Sequence, residues 1–188
     1  MKYVGRQALA YGYLMPLLMV ATYNDDGTVN VMDLHEATQT VEGDLVLCIG
    51  EGKKTHANIE KRRAFTVSLV NPAQMAEADY FGTVSGHRVP DKFARTGLKA
   101  VKSKHVDAPI IEGSVLTIEC ELKQFVRSAY FSAVLGGIVD VAADESVLNG
   151  NRLDAKKTGM LLYDSFSNSY LALGERVGKA WGEGRKFM

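Results

Sequence analysis

Leu116-Thr117-Ile118-Glu119-Cys120-Glu121-Leu122-Lys123 decides the fold. Apolar and polar side chains alternate there with a period of two, which marks a half-buried antiparallel strand and not a helix. Such a strand is the wall of a barrel or sandwich. Downstream, Phe131 to Val141 supplies a second long apolar strand, and Gly136-Gly137 permits a bend or bulge within it. Upstream, Leu17 to Tyr23 ends at the turn Asn24-Asp25-Asp26-Gly27, and Val29 to Leu34 follows as its hairpin partner. Leu45 to Ile49 and Phe65 to Val70 are further strands separated by a short helix, and Met160 to Tyr163 with Tyr170 to Leu173 form a last pair. The other helices are also short. Ala73 to Phe81 is opened by Pro72, Asp91 to Arg95 stops at Gly97 after the loop Gly82 to Pro90, and Arg176 to Trp181 lies near the end. The long strands of the second half follow one another without crossover helices, which excludes a doubly wound sheet. A mainly β chain closed into an antiparallel barrel fits best, because closure removes exposed strand edges.

The 188 residues are enough for a single domain, 1–188, with a sizeable core. Lysine plus arginine and aspartate plus glutamate number 22 each, so no net positive field recruits nucleic acid. The apolar runs, such as Tyr13 to Tyr23, are too short or too interrupted to cross a bilayer, and no convincing cleavage site follows the first of them. A cytoplasmic protein with no membrane or nucleic-acid partner is expected. Cys48 and Cys120 lie within apolar strand-like runs and read as small buried residues. His35, His56, His87 and His105 show no metal-ligand spacing, so no metal site is expected.

The second informative run is Cys48-Ile49-Gly50-Glu51-Gly52-Lys53-Lys54-Thr55-His56-Ala57-Asn58-Ile59, which passes from a strand into a helix. Lys53, Lys54 and Thr55 sit where the first helical amides lack intrahelical partners. Unpaired amides, the positive helix end and two ammonium groups all favour a phosphate. A solvated surface pair of lysines reads equally well from this segment alone. No Walker loop is present, so a nucleoside-triphosphate site is not expected.

Pro16-Leu17-Leu18-Met19-Val20-Ala21-Thr22-Tyr23 with Gly27-Thr28-Val29-Asn30-Val31-Met32, then Lys54-Thr55-His56-Ala57-Asn58-Ile59 and Phe65-Thr66-Val67-Ser68, resembles the flavin reductase-like family, in its flavoredoxin-type branch. Asp79-Tyr80-Phe81-Gly82, Ser85-Gly86, Asp91-Lys92-Phe93 and Tyr170-Leu171-Ala172-Leu173-Gly174 extend the resemblance along nearly the whole chain. It implies a six-stranded antiparallel split β-barrel, Greek-key-like, with short peripheral helices. It also implies a homodimer enclosing FMN at its interface, and electron transfer from NADH or NADPH to a small-molecule or protein acceptor. By position, Thr55 stands beside the FMN phosphate and Lys53 and Lys54 in the loop before it, entered through Cys48, Ile49 and Gly50. Met32, Asp33, Leu34, His35 and Glu36 would run along the isoalloxazine edge, and Ser85, Gly86 and Lys92 would close over the cofactor.

In place of Asp33-Leu34-His35-Glu36 many relatives carry small or hydroxylated residues and a tryptophan. Two acids beside an electron-rich flavin would oppose it by like-charge repulsion unless they point away or are paired. His35 reads first as an edge-facing polar residue at a strand end and second as a flavin or substrate contact. The cofactor supplies the hard chemistry in such proteins, so no catalytic acid or nucleophile is required. An electron carrier without NAD(P)H turnover, or a plain flavin-binding module, fits the same residues. Tyr163, Phe166, Tyr170 and Trp181 add aromatic surface late in the chain, suited to a dimer interface or to ordinary packing.

Overall fold

In the computed structural model, which describes residues 1–9 and 13–188, strands dominate. They are β1 (Leu14–Pro16), β2 (Leu18–Tyr23), β3 (Val29–Leu34), β4 (Ala37–Gln39), β5 (Leu45–Leu47), β6 (Ala64–Leu69), β7 (Ala100–Lys102) and β8 (Pro109–Ile111). After them come β9 (Leu116–Arg127), β10 (Ser132–Ala143), β11 (Leu148–Asn149), β12 (Arg152–Leu153), β13 (Leu161–Asp164) and β14 (Ser169–Ala172). Three helices are interspersed: α1 (Lys54–Arg62), α2 (Met75–Thr83) and α3 (Lys92–Arg95). No helix among the described residues is long and apolar enough to cross a membrane.

The main sheet is antiparallel and has seven strands in the order β3-β2-β6-β9-β10-β5-β4. The expected count of six is therefore one short. The extra strand is β4, three residues with too little apolar alternation to be read in advance. Its place explains the curl. β3 and β4 are the two edges of the sheet, yet only His35 and Glu36 separate them in the chain, so the two edges must come close at that end. The result is a half-barrel, mainly β, with few short helices.

Inward-facing residues fill the curl: Leu18 and Val20 of β2, Leu47 of β5, Phe65 and Val67 of β6, Cys120 and Leu122 of β9, and Val134 of β10. The outer face of β2 is covered as well. Leu17, Met19 and Ala21 pack with Ala78 and Phe81 of α2, Phe93 of α3 and Leu161 of β13. Burial on both faces accounts for the unbroken apolar run from Leu17 to Ala21, where a one-sided strand would alternate.

Three expectations change. Thr117 and Glu119, read as the solvent face of β9, are buried: His105, from the segment 103–109, lies on Glu119, and Thr117 Oγ1 meets Ser68 Oγ of β6 at 2.8 Å. Cys120 is buried as expected, but Cys48 is exposed, since β5 ends at Leu47 and the alternation Leu45, Leu47, Ile49 points inward. Arg176 to Trp181 forms no helix; the only regular turn there is a 3-10 turn at Glu183–Phe187. Val177 and Trp181 find no apolar face to pack on among the described residues, and so short a helix does not persist without one. The bend expected at Gly136-Gly137 is present as register shifts between Leu135 and Gly136 and between Ile138 and Asp140.

Candidate functional site

α1 begins at the rim of the half-barrel. Its N-cap is Lys53, in extended conformation and without a side-chain cap, and its first turn carries no acid. Ser, Thr, Asp or Asn would normally cap this position, and cations at the positive helix end are unfavourable. Lys53 and Lys54 thus occupy a place where an external anion improves every interaction at once.

A buried polar network fixes the next residue. Asn30 on β3 donates to Thr55 Oγ1 at 2.9 Å, and Asn58 donates to Thr22 Oγ1 at 3.0 Å and to Asn24 Oδ1 at 2.9 Å. Because Thr55 Oγ1 accepts from Asn30, its own hydrogen stays free for a group in the cleft. The opposite wall is the segment after α2. Gly86 lies so close that a Cβ there would stand 2.4 Å from Asn30 Oδ1 and 3.2 Å from Lys54 Cβ, so only glycine lets the wall approach.

The cleft between these walls measures about 160 Å³ and is lined by Met32, Asp33, Lys53, Lys54, Thr55, Ser85, Gly86 and Lys92, all expected from the sequence. Asn30, Phe81, Gly82, Thr83, Val84 and Arg88 also line it and were not expected. Arg88 could have been weighed, as a cation between the Ser85-Gly86 and Asp91-Lys92 elements. Lys92 is 2% exposed and donates from Nζ to the carbonyls of Phe81, at 3.0 Å, and Val84, at 2.8 Å. Two of its three hydrogens thus tie the end of α2, leaving one for the cleft. Burial first, and the charge of Lys53 second, hold its ammonium down to about 8, with Asp33 pulling the other way.

The Asp33-Leu34-His35-Glu36 stretch divides. Leu34 enters the barrel core, as does Ile49, so neither side chain reaches a cleft, and Gly50 lines neither depression. The Asp33 carboxylate, 6% exposed, lies 3.0 Å from His35 Nε2, but without hydrogen-bond alignment, so Asp33 Oδ1 and His35 Nε2 remain buried without partners among the described residues. The His35 ring stacks on Tyr163, with centroids 4.2 Å apart and planes 14° from parallel. His35, Glu36 and Cys48 line a second depression of about 270 Å³, floored by Leu14, Met15, Pro16 and Val46. Partial burial, then the Glu36 carboxylate, push the Cys48 thiol up, so it is not an activated nucleophile.

A curled antiparallel sheet with a cation-lined cleft at a helix start defines a split-barrel protein suited to a phosphate-bearing ligand. The chain belongs to the flavin reductase-like family: the flavin reductase like domain matches residues 10–166. That membership places it among flavin-related oxidoreductases and electron carriers. Among solved structures, the flavoredoxin of Desulfovibrio vulgaris (Miyazaki F) is 33% identical with a TM-score of 0.89, over 98% of this chain and 100% of that one. A flavoredoxin from Methanosarcina acetivorans gives 22% identity and a TM-score of 0.87, over 100% of this chain and 99% of that one. An FMN-binding protein from Thermus thermophilus with bound 1-cyclohex-2-enone shares the fold at 21% identity and a TM-score of 0.77, over 95% and 96% of the two chains. No curated protein sequence matches the chain.

Proposed function

We propose that this chain binds FMN, with its phosphate in the cleft at the start of α1, and passes electrons through it. The observation that carries this reading is the convergence of Lys53, Lys54, Thr55 and Arg88 on one small cleft beneath an uncapped helix end. The residues fit the group. The donor set is cationic and hydroxylic, and the orphaned Asp33 Oδ1 offers an acceptor to a ligand N–H. Bound FMN would supply the one- and two-electron chemistry. The chain would neutralise the phosphate through Lys53 and Lys54, direct the Thr55 hydroxyl through Asn30, and hold Lys92 through two carbonyls. Met32, Asp33, His35, Glu36 and Cys48 would face the ring system, with Ser85 and Gly86 as the covering wall.

The cleft of about 160 Å³ is smaller than the roughly 300 Å³ or more usual for a cofactor pocket. One chain therefore holds the phosphate end, and a second surface has to cover the remainder. The proposed cover is a second copy. Trp181, 96% exposed, and Val177 extend from the C-terminal segment with no apolar partner among the described residues, and aromatic residues of this kind favour interface centres. Sedimentation of the FMN-loaded protein at micromolar concentration is expected to give a dimer; a monomer with full FMN occupancy would reject this cover.

The electron source divides the reading. In the reductase form NADH or NADPH stacks on the flavin, and hydride transfer requires reacting atoms about 3–3.5 Å apart. The likeness to a flavoredoxin at 33% identity favours a second form, a carrier reduced by a protein partner. Anaerobic mixing of FMN-loaded protein with NADH and, separately, NADPH distinguishes them. Rapid loss of the flavin's visible absorption establishes the reductase form; failure with both, in protein that dithionite reduces, removes the reductase form and leaves the carrier.

A further inference from the structure

On the outer face of the sheet, away from the cleft and sharing no residue with it, three side chains from separate segments meet at one point. Glu119 projects from β9, Asp140 from β10, and His105 from the segment over β9. Glu119 and Asp140 stand directly opposite each other across the strand pair, in a register set by the irregularity between Ile138 and Asp140. Like charges facing each other across strands are destabilising, and the Glu119 side chain is only 3% exposed. A buried carboxylate needs a paired charge or a metal ion.

The one side chain that hydrogen bonds Glu119 among the described residues is the His105 imidazole, whose Nδ1 lies 2.5 Å from Glu119 Oε2 and 3.3 Å from Asp140 Oδ2. Both carboxylates thus converge on a single ring nitrogen, which carries at most one hydrogen. Two of the three groups are also held from behind. The Val141 amide donates to Asp140 Oδ1 at 2.8 Å and leaves Oδ2 facing inward. The His105 segment is pinned by Ser103 Oγ, which accepts from the His105 and Val106 amides, by Thr66 Oγ1 donating to the Pro109 carbonyl, and by Arg62 on Asp107.

We propose that His105, Glu119 and Asp140 bind one divalent metal ion of the zinc class. The three ligand atoms lie within 4.8 Å of one another. Metal–ligand bonds of about 2.0–2.2 Å in tetrahedral array require edges of about 3.3–3.6 Å, so the His105–Asp140 edge already fits and the His105–Glu119 edge opens by about 1 Å. One imidazole with two carboxylates suits zinc-like ions, whereas magnesium and calcium favour oxygen ligands alone. His105 and Asp140 are exposed, which leaves the fourth position to water. The bound ion would neutralise the facing carboxylates and fasten the 103–109 segment to the sheet. Sequence spacing could not reveal this set, because its members come from three distant segments.

Equilibrium dialysis of the full chain against buffered zinc, with magnesium as the comparison, tests the proposal. One zinc ion per chain is expected, with affinity at least about tenfold weaker in His105→Gln and Asp140→Asn. Absence of zinc uptake, or uptake unchanged in both variants, overturns it. The unaltered chain loaded with cobalt gives a second reading: a visible spectrum without thiolate charge transfer supports a nitrogen and oxygen set, and a thiolate band assigns the metal to cysteine and overturns the site.

Discussion

Gly136→Ala is expected to lower the unfolding free energy by about 1–3 kcal/mol, the range for overpacking a filled core. A Cβ built at Gly136 stands 2.4 Å from Phe65 Cζ and 3.1 Å from Phe65 Cε1. Phe65 is fully buried within the curl, so its ring has no open space to enter. Gly136 also sits at a register shift between β10 and β9, which lets the strand bend beneath the ring. Truncation from the other side, Phe65→Ala, is expected to cost about 3–5 kcal/mol through the cavity it leaves. The two positions should couple: Phe65→Leu in the Gly136→Ala background is expected to cost less than the sum of the single changes. Urea denaturation with a constant slope measures all of these. A Gly136→Ala variant within about 0.5 kcal/mol of the parent would mean the ring yields freely, against the close packing drawn above.

Lys54→Ala combined with Thr55→Ala is expected to weaken FMN binding by roughly 100-fold and riboflavin binding hardly at all. Each charge-assisted hydrogen bond to phosphate contributes about 1.5–3 kcal/mol, or about tenfold or more in affinity. Riboflavin lacks the phosphate, so equal losses for both ligands would show that these residues hold the fold and not the anion. The same titration against pH has a defined direction. A phosphate near Lys92 favours its ammonium form, so FMN affinity should fall as pH rises through about 8, and Lys92→Met should flatten that dependence. The ligand-free fold moves the other way. The unfolded chain holds this proton up to the ordinary 10.5, so the Lys92 contribution to stability rises with pH between about 8 and 10.5.

Most of the main sheet was legible because the longer strands bury residues along the stretch that crosses the core, and burial on a period of two writes itself into side-chain polarity. β4 was not, because three residues at an edge bury too little to leave a pattern. Thr117 and Glu119 misled for a related reason. They are polar yet buried, and the partner over Glu119, His105, comes from an irregular segment, so nothing local to β9 announces it. For the cleft, Lys53, Lys54 and Thr55 were readable as a helix start, and the resemblance added Met32, Asp33, Ser85, Gly86 and Lys92. Arg88 reaches the cleft through the fold of its loop. The resemblance includes Leu34 and Ile49 with their neighbours, although alternation along the chain turns both side chains into the core. Alternation also places Cys48 outward, a signal available in Leu45, Leu47 and Ile49 that the apolar character of the run obscured.

An open seven-stranded sheet ordinarily offers two rows of unpaired backbone groups to any passing extended chain, which is how sheet proteins aggregate and swap strands. Here the chain that leaves one edge, β3, enters the other, β4, after only His35 and Glu36. The Cys48 amide then donates to the Glu36 carbonyl at 2.9 Å, so even the link is tied back to the strand beside it. An intruding strand that pairs with β4 finds an edge only three residues long, and at β3 it meets a strand against which α2 and α3 already pack. The seam that opens the barrel at this rim thus also guards it against templated misassembly.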